Sequence, residues 1–238
     1  MKVRVVGSGS MWNRYNSASY LIDDNILVDF PNGMCKNLYK LNLNPQHINN
    51  MLITHFHGDH YFDIPFLFLL KARAKDKRIN IFCSRDGKKK IKKIFKLAFP
   101  NSIKGVYKEI NLKYNFNDNF KLDDYKVSKV VVNHGRMKPA YGYIISKDNV
   151  SVGFTGDSGL CDSVKNMVMD CNYVFCDCMF IKSTSKHMGI DSIQELIKIN
   201  KNCIFVVSHM ENDTRDELKK LNFKNVIVPE DGQIIDIK

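Results

Sequence analysis

The sequence predicts a mixed α/β protein in which two β-sheets carry helices on their outer faces. Three observations lead there. Short apolar runs of strand length crowd both ends of the chain, helical periodicity is confined to stretches between and after them, and a dense histidine cluster stands where one apolar run stops, in "ITHFHGDHY". The 238 residues suffice for one large core. No repeat or Pro/Gly/Ser-rich linker interrupts them, so residues 1–238 are expected to form a single domain.

The elements follow in order. "KVRVVG", "SYLI" and "NILVDF" read as short strands separated by turn residues, and "NNMLITH" is a fourth strand that delivers the histidines at its carboxyl end. "PFLFLLKARAKDK" brings the first helical periodicity and "INIFC" the next strand. "GKKKIKKIFKLAF" is an amphipathic helix with Ile91, Ile94, Phe95 and Ala98 on its apolar stripe. The middle of the chain continues as the strands "YKVSKVVVNH", "AYGYIIS", "SVGFTGD" and "YVFCDC". Then "DSIQELIKINK" reads as a helix capped by Asp191, "NCIFVVSH" as a buried strand, "DTRDELKKL" as a short helix, and "NVIVPEDGQIIDI" as a closing hairpin.

Composition excludes several classes. Apolar residues make up 44% of the chain, too many for a disordered or collagen-like protein. The most apolar stretch, "FDIPFLFLL", is far short of a membrane span, and "MKVRVVGSGS" lacks the apolar run of a signal sequence, so a cytoplasmic protein is expected. Seven irregularly spaced cysteines suit free thiols in a reducing compartment, with Cys176 and Cys178 as small core residues on a strand. The net charge of +11 invites a polyanionic partner. However, lysine outnumbers arginine 29 to 7, a drift of the whole composition rather than a surface of bidentate phosphate forks. The lysines of 88–96 accordingly read as a solvated helix face, with an RNA-binding face as the alternative.

The histidines carry the chemistry. His55 and His57, two apart across a tight turn eased by Gly58, can reach one cation, and Asp59 and His60 can reach a second a few ångströms away. A binuclear site needs further ligands at other strand ends. His134 follows "KVVVN", Asp157 follows "VGFTG" and His209 follows "IFVVS", each where an apolar strand runs out.

This ordered set resembles the metallo-β-lactamase superfamily, and the resemblance runs from the first turn, "GSGS", to the final "EDG". It implies a four-layer αββα sandwich with metals at one edge between the sheets. It also implies that His55, His57 and His134 hold one metal, that Asp59, His60 and His209 hold the other, and that Asp157 bridges them. The cofactors would be two divalent metal ions, zinc first, with manganese or iron acceptable to the same ligands. Their shared water would supply a metal-bound hydroxide for hydrolysis, with no organic cofactor.

Details narrow the branch. His57 stands where flavodiiron oxidoreductases of this fold have glutamate, and Asp157 stands where many true lactamases have cysteine; both favour a phosphoester or ester hydrolase. "VRVVGSGSMWNRYNSASYLI" and "FTGDSG" are similar to the opening and the bridging-aspartate motif of ribonuclease Z and related phosphodiesterases. "FCDCMFIKSTSKHMG" resembles a third segment of that group, and carries over Asp177 and His187 as the pair that assists proton transfer to the leaving group, with aspartate where the group usually has glutamate. Asp59 is counted with them as catalytic. The usual transfer-RNA-gripping arm is missing, because only a hairpin fits between His134 and Asp157.

A phosphodiesterase acting on a cyclic nucleotide, a cyclic phosphate or an RNA 3′ end is therefore the leading expectation. A carboxylic ester, thioester or lactone hydrolase of the same fold and a non-catalytic nucleic-acid-binding module are the alternatives. Asn16, Ser17 and Arg136 are candidate substrate contacts, and Trp12 could line a pocket or cap the core. Relatives are often dimers, so a homodimer is a candidate assembly that nothing in the sequence pattern decides, and no membrane partner is expected.

Overall fold

A computed structural model describes all residues 1–238. The chain runs β1 (Lys2–Gly7), β2 (Ser19–Ile22), β3 (Ile26–Val28), α1 (Met34–Lys40), a 3-10 turn (Pro45–His47), β4 (Asn50–Leu52), α2 (Gly58–Tyr61), α3 (Ile64–Ala72), β5 (Arg78–Phe82), α4 (Gly87–Ala98) and α5 (Ile103–Glu109). It continues through β6 (Asn111–Asn115), β7 (Asn119–Leu122), β8 (Tyr125–Val131), β9 (Tyr141–Lys147), β10 (Val150–Phe154), α6 (Asp162–Asp170), β11 (Tyr173–Asp177), α7 (Ile190–Ile199), β12 (Ile204–Ser208), α8 (Asn212–Leu221), β13 (Val226–Ile227) and β14 (Ile234–Asp236).

Two seven-stranded sheets result, ordered β14-β1-β2-β3-β4-β5-β6 and β13-β12-β11-β10-β9-β8-β7. Alternation of side chains along each strand decides which layer a residue joins. In β12, Val206 enters the core between the sheets while Phe205 and Val207 face the helices outside; in β11, Phe175 and Val174 divide the same way. The inter-sheet core includes Val5, Tyr20, Leu52, Tyr143 and Phe154. Helices α1, α3, α4 and α5 cover one outer face and α6, α7 and α8 the other, giving the four layers αββα.

The parallel strands β3-β4-β5 and β10-β11-β12 matter most for function. Their carboxyl ends open on the same edge of the sandwich, and loops leaving such ends are where α/β sheets place polar sites.

Four readings of the sequence need correction. The closing segment is not a hairpin: β13 pairs parallel with β12 in one sheet, and β14 pairs antiparallel with β1 in the other. Two short apolar runs around "PEDG" look alike whether the turn reverses the chain or carries it between sheets. Helix α7 begins at Ile190 after Gly189, so Asp191 lies inside the first turn, where its carboxylate accepts from the amide of Ser183 at 2.9 Å instead of capping. On α4, Ile91 and Phe95 are buried and Ile94 half-buried, but Ala98 is exposed. Trp12 is 76% exposed and does not cap the core. Helices α1, α2, α5 and α6 and strands β6 and β7 were not anticipated. The lysines of α4 at 88, 89, 92, 93 and 96 are exposed, as a solvated face requires.

Candidate metal centre

Strand ends build the site. His55 lies three residues beyond β4, His134 three beyond β8, and Asp157 three beyond β10; Asp177 ends β11 and His209 directly follows β12. His57 opens the short helix α2, whose first turns carry Asp59 and His60. Six of the seven histidines thus meet at one edge; His47 alone stays away.

Their donor atoms converge in two groups. His55 Nε2 and His57 Nδ1 are 3.0 Å apart, His134 Nε2 lies 3.2 Å from His57 Nδ1, and Asp157 Oδ2 stands 3.8 Å from His55 and 3.9 Å from His134. Asp59 Oδ2 lies 3.5 Å from His209 Nε2 and 3.8 Å from His60 Nε2. Asp157 adjoins this second group as well, with Oδ1 at 3.3 Å from His60 and Oδ2 at 3.4 Å from His209.

Those spacings suit cations. Tetrahedral ligands at ordinary zinc bond lengths sit about 3.3 Å from one another. One further observation points the same way. The buried Nε2 of His60, the nitrogen that faces the cluster, has no hydrogen-bond partner. The residues present therefore fit a pair of divalent ions.

The outer nitrogens are held so that the inner ones face the cluster. His134 Nδ1 donates to the Lys186 carbonyl at 3.0 Å, and His60 Nδ1 donates to Asp29 Oδ2 at 2.8 Å. Asp29 also accepts from the amide and the hydroxyl of Thr54, both at 2.8 Å, and so ties the strand end before His55 to the helix bearing His60. Sequence reasoning missed Asp29, although it closes the apolar run "NILVD" much as Asp157 closes its own. Asp29 and His209 both sit in the left-handed region, at φ 61° and 56°, and Gly156 beside Asp157 does so at 59°.

Electrostatics follow from this crowding. Burial, together with the neighbouring imidazoles, holds His55 and His57 below the usual histidine range. Burial alone would depress His209 too, but Asp157 and Asp59 outweigh it and lift the group to about 9. Burial raises Asp157, and the imidazoles of His209 and His60 reverse that, holding it well below the carboxylate range. Carboxylates that bind protons this firmly onto buried imidazoles form a strong field for any cation that replaces those protons.

Asp177 and His187 join the same edge. His187 Nδ1 donates to Asp177 Oδ2 at 2.8 Å, and the buried carboxylate also accepts from the amides of Ser158 at 3.0 Å and Met179 at 3.1 Å. The His187 ring stacks on His209 with centroids 5.3 Å apart. A cavity of about 460 Å³ opens above, and its lining includes His57, His134, Arg136, Lys138, Lys186 and His187.

Of the candidate substrate contacts, Arg136 lines this cavity. Asn16 and Ser17 do not: the Asn16 amide and side chain both donate to Asp231 at 2.8 Å, and Ser17 pairs with Gly9 in an isolated bridge. Asp231, which also accepts from Ser8, draws these residues to the chain's C-terminal end and away from the opening. Between His134 and Asp157 the chain makes only the β9–β10 hairpin, with no protruding arm.

The architecture is the metallo-β-lactamase fold, with the His/Asp cluster at its open edge. The solved structure of the metallo-β-lactamase-fold protein YhfI from Bacillus subtilis superposes with a TM-score of 0.77 over 99% of both chains at 17% identity. A diphosphatase of the PhnP family gives 0.79 over 100% of this chain and 98% of that one, also at 17% identity. The short form of human tRNase Z, ELAC1, gives 0.75 over both whole chains at 15% identity. More particularly, residues 1–231 match the family described as Anti-Pycsar protein Apyc1, and the chain belongs to that family.

Two ribonucleases Z are similar in sequence. That of Picrophilus torridus is 36% identical over 103 residues, a match spanning 39% of this chain and 32% of that protein. That of Sulfurisphaera tokodaii is 23% identical over 239 aligned positions and 82% of each chain. No helix is long and apolar enough to cross a membrane.

Proposed function

We propose that this protein is a binuclear metal-dependent phosphodiesterase for small phosphodiesters, with nucleoside cyclic phosphates as the favoured class. The observation that carries the reading is the meeting of two donor groups and the His187–Asp177 pair at one cavity edged by cations. His55, His57 and His134 would hold one ion, Asp59, His60 and His209 the other, and Asp157 would lie between, zinc being the ion such His/Asp sets commonly take. Bound there, two divalent cations lower the pKa of a water towards neutrality and polarise a phosphoryl oxygen.

The chain's own residues do the rest. Arg136, Lys138 and Lys186 attract and orient the anionic substrate at the opening. Asp177, buried and acceptor to three N–H groups, fixes the His187 ring with Nδ1 occupied, so that Nε2 is the nitrogen free to give a proton to the departing sugar oxygen. The small opening and the lack of an arm favour a compact substrate over the body of a folded RNA.

Turnover of bis(p-nitrophenyl) phosphate, a panel of 3′,5′-cyclic nucleotides and an RNA with a 3′ trailer tests this reading. Cleavage of the first two well above a chelator-treated control is expected. Cleavage of lactones or thioesters alone would refute it.

A further inference from the structure

The opening has a second lobe whose chemistry differs from the first. A cavity of about 380 Å³ on the far side of His57 is lined by Met11, Asn32, His57, Gly58, Asp59 and Phe62. Met11 and His57 border both lobes, so one ligand can occupy the two together. The cationic lobe holds Arg136, Lys138 and Lys186; the second has no lysine or arginine, and its one carboxylate, Asp59, is buried in the metal centre. A second phosphate therefore finds no basic side chain there. A flat neutral ring needs none.

We propose that Met11 and Phe62 form the shelf on which the nucleobase of the substrate lies. This rests on the phosphodiesterase reading and adds the part of the substrate that sets affinity. Both side chains are large, apolar and about half exposed, at 48% and 46%, immediately beside a charged centre. Phe62 is held in place. Its ring lies so close to Gly58 that a Cβ there would come within 2.7 Å of it, and it meets Tyr61 edge-on with centroids 5.1 Å apart. The loop bearing Met11 is anchored on both sides, by Ser10 donating to Glu211 at 2.7 Å and by the Asn13 amide donating to the Met210 carbonyl.

A ring and a thioether contact the π-face of a base without reading its edge. Asn32 is the one uncommitted amide in the lining, and it can both donate and accept. The shelf thus raises affinity for nucleosides as a class and discriminates little among bases.

The test compares a 3′,5′-cyclic nucleoside monophosphate with methyl riboside 3′,5′-cyclic phosphate, which lacks the base, in the wild type, the Met11→Ala/Phe62→Ala double variant and Phe62→Trp. The double variant should raise KM for the nucleotide about tenfold with kcat within about twofold. KM for the base-less sugar should stay where it is, and Phe62→Trp should retain nucleotide affinity. Equal effects on both substrates, or none on either, would overturn the shelf. So would loss of self-association in sedimentation with KM unchanged, which would make this face a contact between copies. If the wild type turned over neither compound, the phosphodiesterase reading itself would fall, an outcome distinct from a shelf without effect.

Discussion

His187 and Asp177 are joined by a 2.8 Å hydrogen bond although they are ten residues apart, because β11 ends at the aspartate and the loop before α7 folds back over it. The bond leaves Nε2 as the working nitrogen of His187. If that nitrogen protonates the leaving group, its value depends on how badly the leaving group needs a proton. His187→Ala should lower kcat about 10²- to 10⁴-fold on a substrate that expels a sugar alkoxide. It should cost far less on bis(p-nitrophenyl) phosphate, whose leaving group departs as a stable anion. Equal losses on both substrates would make His187 a positioning residue instead.

Asp29 holds His60 from behind. Asp29→Asn keeps a side chain that tolerates the left-handed backbone, yet it removes the negative acceptor for the His60 Nδ1 proton. Metal affinity should fall about 10- to 100-fold. Competition with a chromophoric chelator measures it, and a variant that retains wild-type affinity would show that Asp29 serves folding alone.

Gly156 sets the turn before Asp157. At φ 59°, with a Cβ due to meet Thr54 Cβ and the Tyr141 carbonyl at 2.9 Å, Gly156→Ala strains the backbone and crowds the neighbouring strand end. The left-handed conformation alone should cost about 1–2 kcal/mol. Thermal melting should show a Tm several degrees lower, and bound metal should fall with it because Asp157 moves. An unchanged Tm would mean the turn relaxes freely.

The cysteines should separate by pH. Burial pushes Cys83, Cys171 and Cys203 up to about 12 and raises Cys35, Cys176 and Cys178 as well. Cys161 differs. It is half-buried, burial would raise it, and the Ser163 hydroxyl with nearby backbone amides outweighs that and holds it below the usual thiol range. Since the thiolate is the reactive form, a single thiol should react with a disulfide reagent in the native protein at pH 8, and its rate should level off below the pH at which an ordinary thiol ionises. Cys161→Ser should abolish that reaction; several equally fast thiols would contradict the packing.

Much of the fold and site was legible because both depend on where apolar runs stop. The strands "SYLI" and "KVRVVG" match β2 and β1 residue for residue, and the polar residues after "MLIT", "VVVN", "VGFTG" and "FVVS" all reach one edge. What resisted was whatever a local pattern leaves open. The segment "VIVPEDGQIID" carries the same apolar–turn–apolar signal whether it closes a hairpin or crosses between sheets, and only the free edges of β12 and β1 decide. Asn16 and Ser17 looked like site residues from their place in the chain; Asp231, more than two hundred residues away, draws Asn16 elsewhere. Asp29 went unnoticed because a lone aspartate after a strand is ordinary until the histidine it supports is brought to it.

The central claim is that the convergent histidines and aspartates hold two cations. Metal analysis of freshly purified protein, wild type beside Asp157→Ala and after dialysis against a mild chelator, tests it most directly. The account predicts close to two divalent ions per chain in the wild type and a clear loss in the variant, whose shared carboxylate is gone. A wild type that contains no metal and takes up none on addition would contradict it.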